Sequence, residues 1–333
     1  MCLSHSSKQV KIFPMNTVIN LILPFFGLIL MGFTAGKFMA KNTQGIEWLN
    51  TFVIYFALPP LIFQSVASAP VEQLTNWPFV LATTFSSYTI FIFVFAISIT
   101  VFKNHIGKAA VQSAAASYGN IGYMGLALTV AALGSSAAIP ATLIFCFDST
   151  LHYVLVPLLN SFGKSDESNL TETLSKIFKT VFFHPFIIAT ILGVAASVFS
   201  INMPQPVDTL LDFLSRAAAP CALFVLGVTV AYQPLAGIGR ELPLIIISKT
   251  ILHPLLVVII LSAMGGFDPL WVGVAVLMAS LPTAANVFVM AVQFDEYVEG
   301  VSSSILITTA ISFITVSLVL IMIDRGKLPL DLF

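Results

Sequence analysis

Charge is what this sequence has least of. Aspartate, glutamate, lysine and arginine make up 9% of its 333 residues, against 58% hydrophobic. Water-soluble domains carry roughly 25% charged residues. Fourteen basic and fifteen acidic side chains cannot clothe a chain of this length in water, so most of its outer surface must meet lipid. The formal net charge of −1 excludes the basic face that a nucleic-acid partner requires. Cysteine is scarce as well: Cys2, Cys146 and Cys221. The last two lie in apolar segments, and no CxxC or Cys/His metal spacing exists, which argues against a disulfide framework and against a metal site. Catalytic signatures are missing too. There is no HExxH, no G-x-S-x-G, and no second mid-span aspartate to pair with Asp148, so the chain does not read as an enzyme.

What is present is a succession of apolar runs. A membrane span needs about 20 mostly apolar residues. Ten segments qualify: 16–36, 47–69, 77–102, 108–133, 138–161, 180–200, 207–232, 241–264, 269–292 and 301–323. The expected fold is therefore an all-α integral membrane protein of ten transmembrane helices. The first run ends at Gly36-Lys37 without an A-x-A-like cleavage site, so it is read as a span and not as a signal peptide. Met15 stands as an alternative start. Residues 1–15 form an N-terminal tail and 324–333 a C-terminal one.

One hydrophilic stretch, 162–179, separates two sets of five spans, 16–161 and 180–323. A shift of about 161 residues lays the first set on the second, with Pro59 over Pro220 and Phe63 over Phe224. Five spans return the chain to the opposite side of the membrane, so related halves must be inverted. Inverted repeats are a feature of secondary transporters, with the site near mid-membrane where the repeats meet. Orientation follows the basic residues. Lys37, Lys41, Lys103, Lys108, Lys164, Lys176, Lys179 and Arg240 fall on one set of loops, which predicts a cytoplasmic 162–179 loop and both termini outside. Lys8, Lys11, Arg325 and Lys327 lie at the opposite-side termini. The Asn169-Leu170-Thr171 sequon then has no meaning on a cytoplasmic loop. Trp48, Trp77 and Trp271 fall near span ends, where an interfacial aromatic belt is expected.

The fourth span of each half is interrupted. The fourth of the chain contains Gly119-Asn120-Ile121-Gly122-Tyr123-Met124-Gly125, and the ninth contains Ser280-Leu281-Pro282-Thr283-Ala284-Ala285-Asn286. Lipid offers a broken backbone no substitute partner, so breaks are tolerated only inside protein or beside a cavity. Close helix packing explains glycines alone, and a kink explains one proline alone. Breaks in corresponding positions, each with an asparagine, point instead to a substrate site. Two half-helix N-termini aimed at one point favour an anion. Gly119, Asn120, Gly122, Tyr123, Ser280, Pro282, Thr283 and Asn286 are the expected substrate-binding residues.

Ionisable residues inside spans form a second set. Asp148 and His152 lie four apart on the fifth span, Lys249 and His253 four apart on the eighth, so each pair shares a helix face. Intramembrane charge is expensive and is a functional hypothesis by default. Asp148 reads either as a proton- or cation-linked carboxylate with His152 as relay, or as a static buried tether. Lys249 reads either as a transport residue or as a lysine that snorkels to the interface. Asp212 and Arg216 read as an i,i+4 pair at a membrane boundary.

The two interrupted motifs resemble the crossover motifs of the auxin efflux carrier family, within the bile acid/arsenite/riboflavin-type transporter superfamily. Leu23-Pro24 and Gly32 are similar to that family's opening span, and the likeness runs from Met15 to about Ile323. The resemblance implies two inverted five-helix repeats with broken, crossing fourth and ninth helices. It implies a scaffold of spans 1, 2, 6 and 7, and movement of small organic anions: malonate, malate and similar carboxylates in bacterial relatives, indole-3-acetate in plants. It also places Asn120, Pro282 and Asn286 beside the bound carboxylate and raises the prospect of a homodimer. No cofactor is expected, while coupling to H+ or Na+ stays open, as do an anion channel and a carrier of another solute.

Overall fold

The computed structural model describes residues 15–38, 44–163, 174–175, 178–179, 182–232, 239–326 and 328, with side chains omitted at 15–22, 44 and 163. Most of the 162–179 loop and of both tails lies outside the described residues, as do Cys2, Lys8, Lys11, Lys41, Lys164, Lys176 and Lys327. Twelve helices organise the rest: α1 (Met15–Phe38), α2 (Gly45–Ala67), α3 (Trp77–Thr100), α4 (Ile106–Ser117), α5 (Ile121–Leu133), α6 (Ala138–Gly163), α7 (Pro185–Val198), α8 (Gln205–Tyr232), α9 (Leu242–Met264), α10 (Pro269–Ala279), α11 (Ala285–Phe294) and α12 (Val298–Asp324). No strand occurs among the described residues, only one isolated bridge between Gly119 and Thr283. Six helices, α2, α3, α6, α8, α9 and α12, are long and apolar enough to cross a membrane, and shorter apolar helices include α5, α7, α10 and α11. The fourth and ninth expected spans are thus each two helices.

Helix starts follow the local chemistry. Pro78, Pro185 and Pro269 occupy first-turn positions, where a missing N–H costs nothing. The side chains of Asn76, His184 and Asp268 accept from Phe79, Phe186 and Leu270 N–H. Two helices widen to π-type turns, at Val53–Ala57 and Ser248–Leu252. Each precedes a proline by the same offset, Pro59 and Pro254. A proline ring clashes with the carbonyl four residues back, which here is that of Tyr55 or Thr250, in the middle of the widened turn. The third π-type turn, Ile121–Gly125, opens α5 and carries two glycines instead.

Two groups of helices emerge from the packing. α1 lies along α8, and α7 lies along the second half of α2. α3, α4, α6, α9, α10, α11 and α12 pack among themselves. Lipid provides no hydrophobic drive for helices to associate, so close approach through small residues does the work. A side-chain carbon added at Gly32 would strike the Phe224 carbonyl, and one at Gly227 the Ile29 carbonyl. These two glycines set the α1–α8 contact. The outward faces carry Leu30, Phe85, Ile92, Leu192, Phe213 and Ile314, all exposed as lipid contact demands. Trp48 and Trp77 are exposed, in keeping with a belt, but Trp271 is not: it is buried edge-on against Phe79, with centroids 4.8 Å apart. Its position at the start of α10 is right for a belt, but α10 is enclosed by neighbours.

At one end of the second group Lys108 Nζ meets Glu241 Oε1 at 2.9 Å, and Asn104 Nδ2 reaches the same oxygen at 3.4 Å. Burial pushes the Glu241 carboxyl up, but the Lys108 bond and charge and the Asn104 bond outweigh it and hold the group below its ordinary value. The Asp212–Arg216 pair forms as expected, at 2.9 Å on an exposed face.

Gly227→Val should overpack the α1–α8 seam at a cost of about 1–3 kcal/mol, seen as a lower melting temperature in detergent. Gly273→Ala, where the added carbon meets Ile323 at an ordinary 3.5 Å, should leave the melting temperature unchanged or raise it.

Candidate functional site

The breaks at 118–120 and 280–284 lie against each other. Asn120 N–H donates to the Pro282 carbonyl at 2.8 Å, and Ala284 N–H donates to the Tyr118 carbonyl at 3.0 Å. The two interrupted segments therefore cross as a minimal antiparallel bridge. Thr283 adds two further ties. Its hydroxyl donates to the Ala115 carbonyl at 2.7 Å, and its N–H donates to Thr308 Oγ1 at 3.1 Å. Thr315 Oγ1 donates to the Ser280 carbonyl at 3.3 Å. Backbone groups that a continuous helix would have satisfied are thus satisfied by the other break and by α12, as a non-aqueous interior requires. Pro282, which has no N–H, contributes its carbonyl alone. The crossing leaves the N-termini of α5 and α11 at the centre, each with first-turn N–H groups that lack partners in their own helix.

Around this crossing the expected residues divide. Tyr123 and Asn286 line a pocket of about 90 Å³ together with Asn50 from α2, Val225 and Thr229 from α8, and Phe288 from α11. The pocket lies between the two helix groups. Tyr123 closes one side, its hydroxyl donating to Asn50 Oδ1 at 2.6 Å. Asn120 sits deeper. Its side chain is buried and both amide atoms are without a hydrogen-bond partner, a costly arrangement for an ordinary core residue. Gly119, Gly122, Ser280, Pro282 and Thr283 are buried in the crossing itself. Gly122 admits the Phe145 ring, and Ser280 back-bonds to Leu277.

Asn50, Thr229 and Thr308 were not anticipated. Asn50 sits near a span end, where a polar residue passes as interfacial, and Thr229 and Thr308 look like the hydroxyls that commonly back-bond in apolar helices.

The ionisable set is brought together next to the crossing. Lys249 is fully buried and does not snorkel. Its Nζ donates to the Ala279 carbonyl at 2.8 Å, the last residue of α10, and lies 3.0 Å from His253 Nδ1. An ammonium at a helix C-terminus satisfies both the free carbonyls and the dipole. The π-type turn of α9 carries Lys249 inward, and Gly119 leaves room, since a carbon added there would meet Nζ at 3.1 Å. Asp148 and His152 are also buried. Their side chains approach only to 4.0 Å, while His152 Nδ1 is 2.7 Å from the Asp148 main-chain carbonyl. The Tyr118 ring stacks on His152 with centroids 4.5 Å apart, and its hydroxyl donates to Ser149 at 2.9 Å.

A family model described as "Membrane transport protein" matches residues 17–320. The chain belongs to that family, the auxin efflux carriers. It is a membrane transporter and not an enzyme. It is 43% identical over 319 residues to a protein of Rhizobium meliloti (strain 1021) named "Putative malonate transporter", covering 96% of this chain and 100% of that one. It is 26% identical over 298 residues, 89% of this chain and 95% of the other, to an "Uncharacterized transporter" of Methanothermobacter thermautotrophicus. It is also 24% identical over 315 residues to the "Lysosomal cholesterol signaling protein" of Mus musculus, covering 87% of this chain and 36% of that protein.

Lys249→Met should strip the Ala279 carbonyl and His253 of their donor at a cost of about 1–3 kcal/mol, read as a lower melting temperature in detergent. Arg216→Met, on an exposed, solvent-screened pair, should leave it unchanged.

Proposed function

We propose that this transporter carries small organic anions, carboxylates of the malonate or malate kind, across the cytoplasmic membrane by alternating access at the helix crossing. One observation carries the reading. Two interrupted helices from opposite halves of the chain are bonded to each other beside a pocket that separates two helix groups. The pocket is lined by neutral groups, Asn286, Thr229, Asn50 and Tyr123, and faces the N-terminus of α11. Helix N-termini attract carboxylates without a fixed countercharge, so the anion can also leave. Asn120, Gly119, Gly122, Ser280, Pro282 and Thr283 shape and support that floor. The 43% identity to a protein whose name includes malonate agrees with the substrate class.

The arrangement supports ten spans in two inverted repeats, 16–161 and 180–323. On exchange of the halves, the packing of span 1 on span 7 (α1 on α8) becomes that of span 6 on span 2 (α7 on α2), and both pairs occur. Spans 1, 2, 6 and 7 then form the scaffold, and the remaining spans move against it. The end bearing Lys108 and Arg240 faces the cytoplasm with the 162–179 loop, and both termini lie outside.

Counterflow in proteoliposomes tests this. Vesicles loaded with a panel of mono- and dicarboxylates should exchange at least one of them saturably. An Asn120→Ala, Asn286→Ala double variant should raise its half-saturation concentration by about tenfold or more, the scale of one lost hydrogen bond to a charged group. Absence of exchange with every carboxylate, by unmodified protein that remains folded, would remove the substrate class.

A further inference from the structure

Apart from the Lys249 bond that caps α10, the buried ionisable cluster has no task in the crossing itself. Asp148 is 3% exposed, His152 and Lys249 0%, and His253 4%. From Lys249 the contacts run through His253, whose Nε2 is 3.2 Å from Ser87 Oγ on α3, to the Asp148 carboxyl, against which the Ser87 hydroxyl lies. Ser87, Asp148 and His253 line one cavity with about 10 Å³ of room for a water's centre, enough for a single water. Asp148 Oδ1 is buried without a hydrogen-bond partner.

Proton positions follow from the donors. An ammonium only donates, so His253 Nδ1 accepts from Lys249 and Nε2 carries the proton toward Ser87. A main-chain carbonyl only accepts, so His152 Nδ1 carries the proton toward Asp148. His152 Nε2 lies 2.7 Å from the Ser117 hydroxyl and accepts its proton when that hydroxyl turns from the Ser113 carbonyl, 2.8 Å away. Both rings are neutral in this arrangement. The charges left are the Asp148 carboxylate and the Lys249 ammonium, which cancel.

The other elements packed on α6 contribute no opposing charge to this point. α4 presents Tyr118, α3 presents Ser87 and Thr83, and α5 and α10 present Ile121, Ala275, Met278 and Ala279. On α7, His184 packs against Tyr153 and Phe145, farther along α6.

We propose that Asp148 is a proton-binding site that couples H+ to the transported anion, by releasing the Lys249 charge at the crossing when it is protonated. This rests on the carrier reading above. The step is a single O–H bond: a proton from water joins the carboxylate, and Asp148 becomes neutral. Lys249 then lacks a countercharge beside the crossing, and a carboxylate that enters as a monoanion, as singly protonated malonate does, restores the balance. The empty site and the site holding both proton and anion have the same net charge. A site holding one without the other is off by a full unit, which is costly to move through lipid. Proton and anion therefore favour each other's binding reciprocally, and only the empty and doubly loaded forms cross.

The test uses the full chain in proteoliposomes with radiolabelled malonate. Counterflow at equal pH on both sides tests the carrier reading alone, and its absence overturns both proposals. Given counterflow, an inward pH gradient should drive malonate accumulation, and the half-saturation concentration, counted as singly protonated malonate, should rise with pH, by up to about tenfold per unit. Asp148→Asn, neutral at every pH, should still exchange malonate, with a half-saturation, counted the same way, that no longer varies with pH, and should accumulate about tenfold less per unit of pH gradient, keeping only what malonate's own ionisation drives. A second measurement needs no variant. Accumulation by unmodified protein should follow the pH gradient and not an inside-positive potential set with potassium and valinomycin. Accumulation that follows the potential alone, or an Asp148→Asn protein that accumulates malonate down the pH gradient as strongly as the unmodified one, overturns the coupling while leaving the carrier intact.

Discussion

Every backbone amide in a lipid-embedded chain must find a partner within the protein, and this fold is arranged around a place where two helices fail to provide it. Tyr118, Gly119 and Asn120 on one side and Ser280 to Ala284 on the other would be untenable alone. They are bonded to each other, and to Thr308 and Thr315 of α12. The break in one half of the chain is thereby the condition for the break in the other. Because the link is made of main chain, it leaves side chains and two helix N-termini free to meet a ligand.

The charges near the crossing follow from the same constraint. α10 ends in mid-bundle, so its last carbonyls need a donor where no water serves, and Lys249 supplies it. That ammonium in turn needs a countercharge and neutral acceptors, which Asp148 and His253 provide. Pro254, by widening the preceding turn, and Gly119, by leaving space, are what allow a lysine to reach this point. The cation that caps α10 is also the one that Asp148 and His253 surround.

Much of this was legible in the sequence. A run of glycines with an asparagine, and a proline with an asparagine, stand out in apolar segments because nothing else in lipid explains them. Asp148, His152, Lys249 and His253 stand out because charge there is expensive. What one sequence does not carry is which break touches which, since residues 118–120 and 282–284 are far apart in the chain and their link is main chain, indifferent to side-chain identity. Lys249 was readable as snorkelling because its depth along the helix allows it; only the π-type turn and its direction decide. Trp271 was misplaced for a similar reason: nearness to a helix end does not tell whether that end is enclosed. Asn50 and Ser87 gave no signal, since one polar residue in an apolar helix is usually satisfied by its own backbone.

The most direct test of the crossing is hydrogen exchange at two amides, Asn120 and Ala284, in detergent or nanodiscs. Both lie in interrupted segments and would exchange rapidly if the breaks were ordinary loops. The account predicts slow exchange, comparable to the middle of α12, because each donates across the crossing. Fast exchange at both would mean that the breaks do not hold each other, and the site built on them would fall.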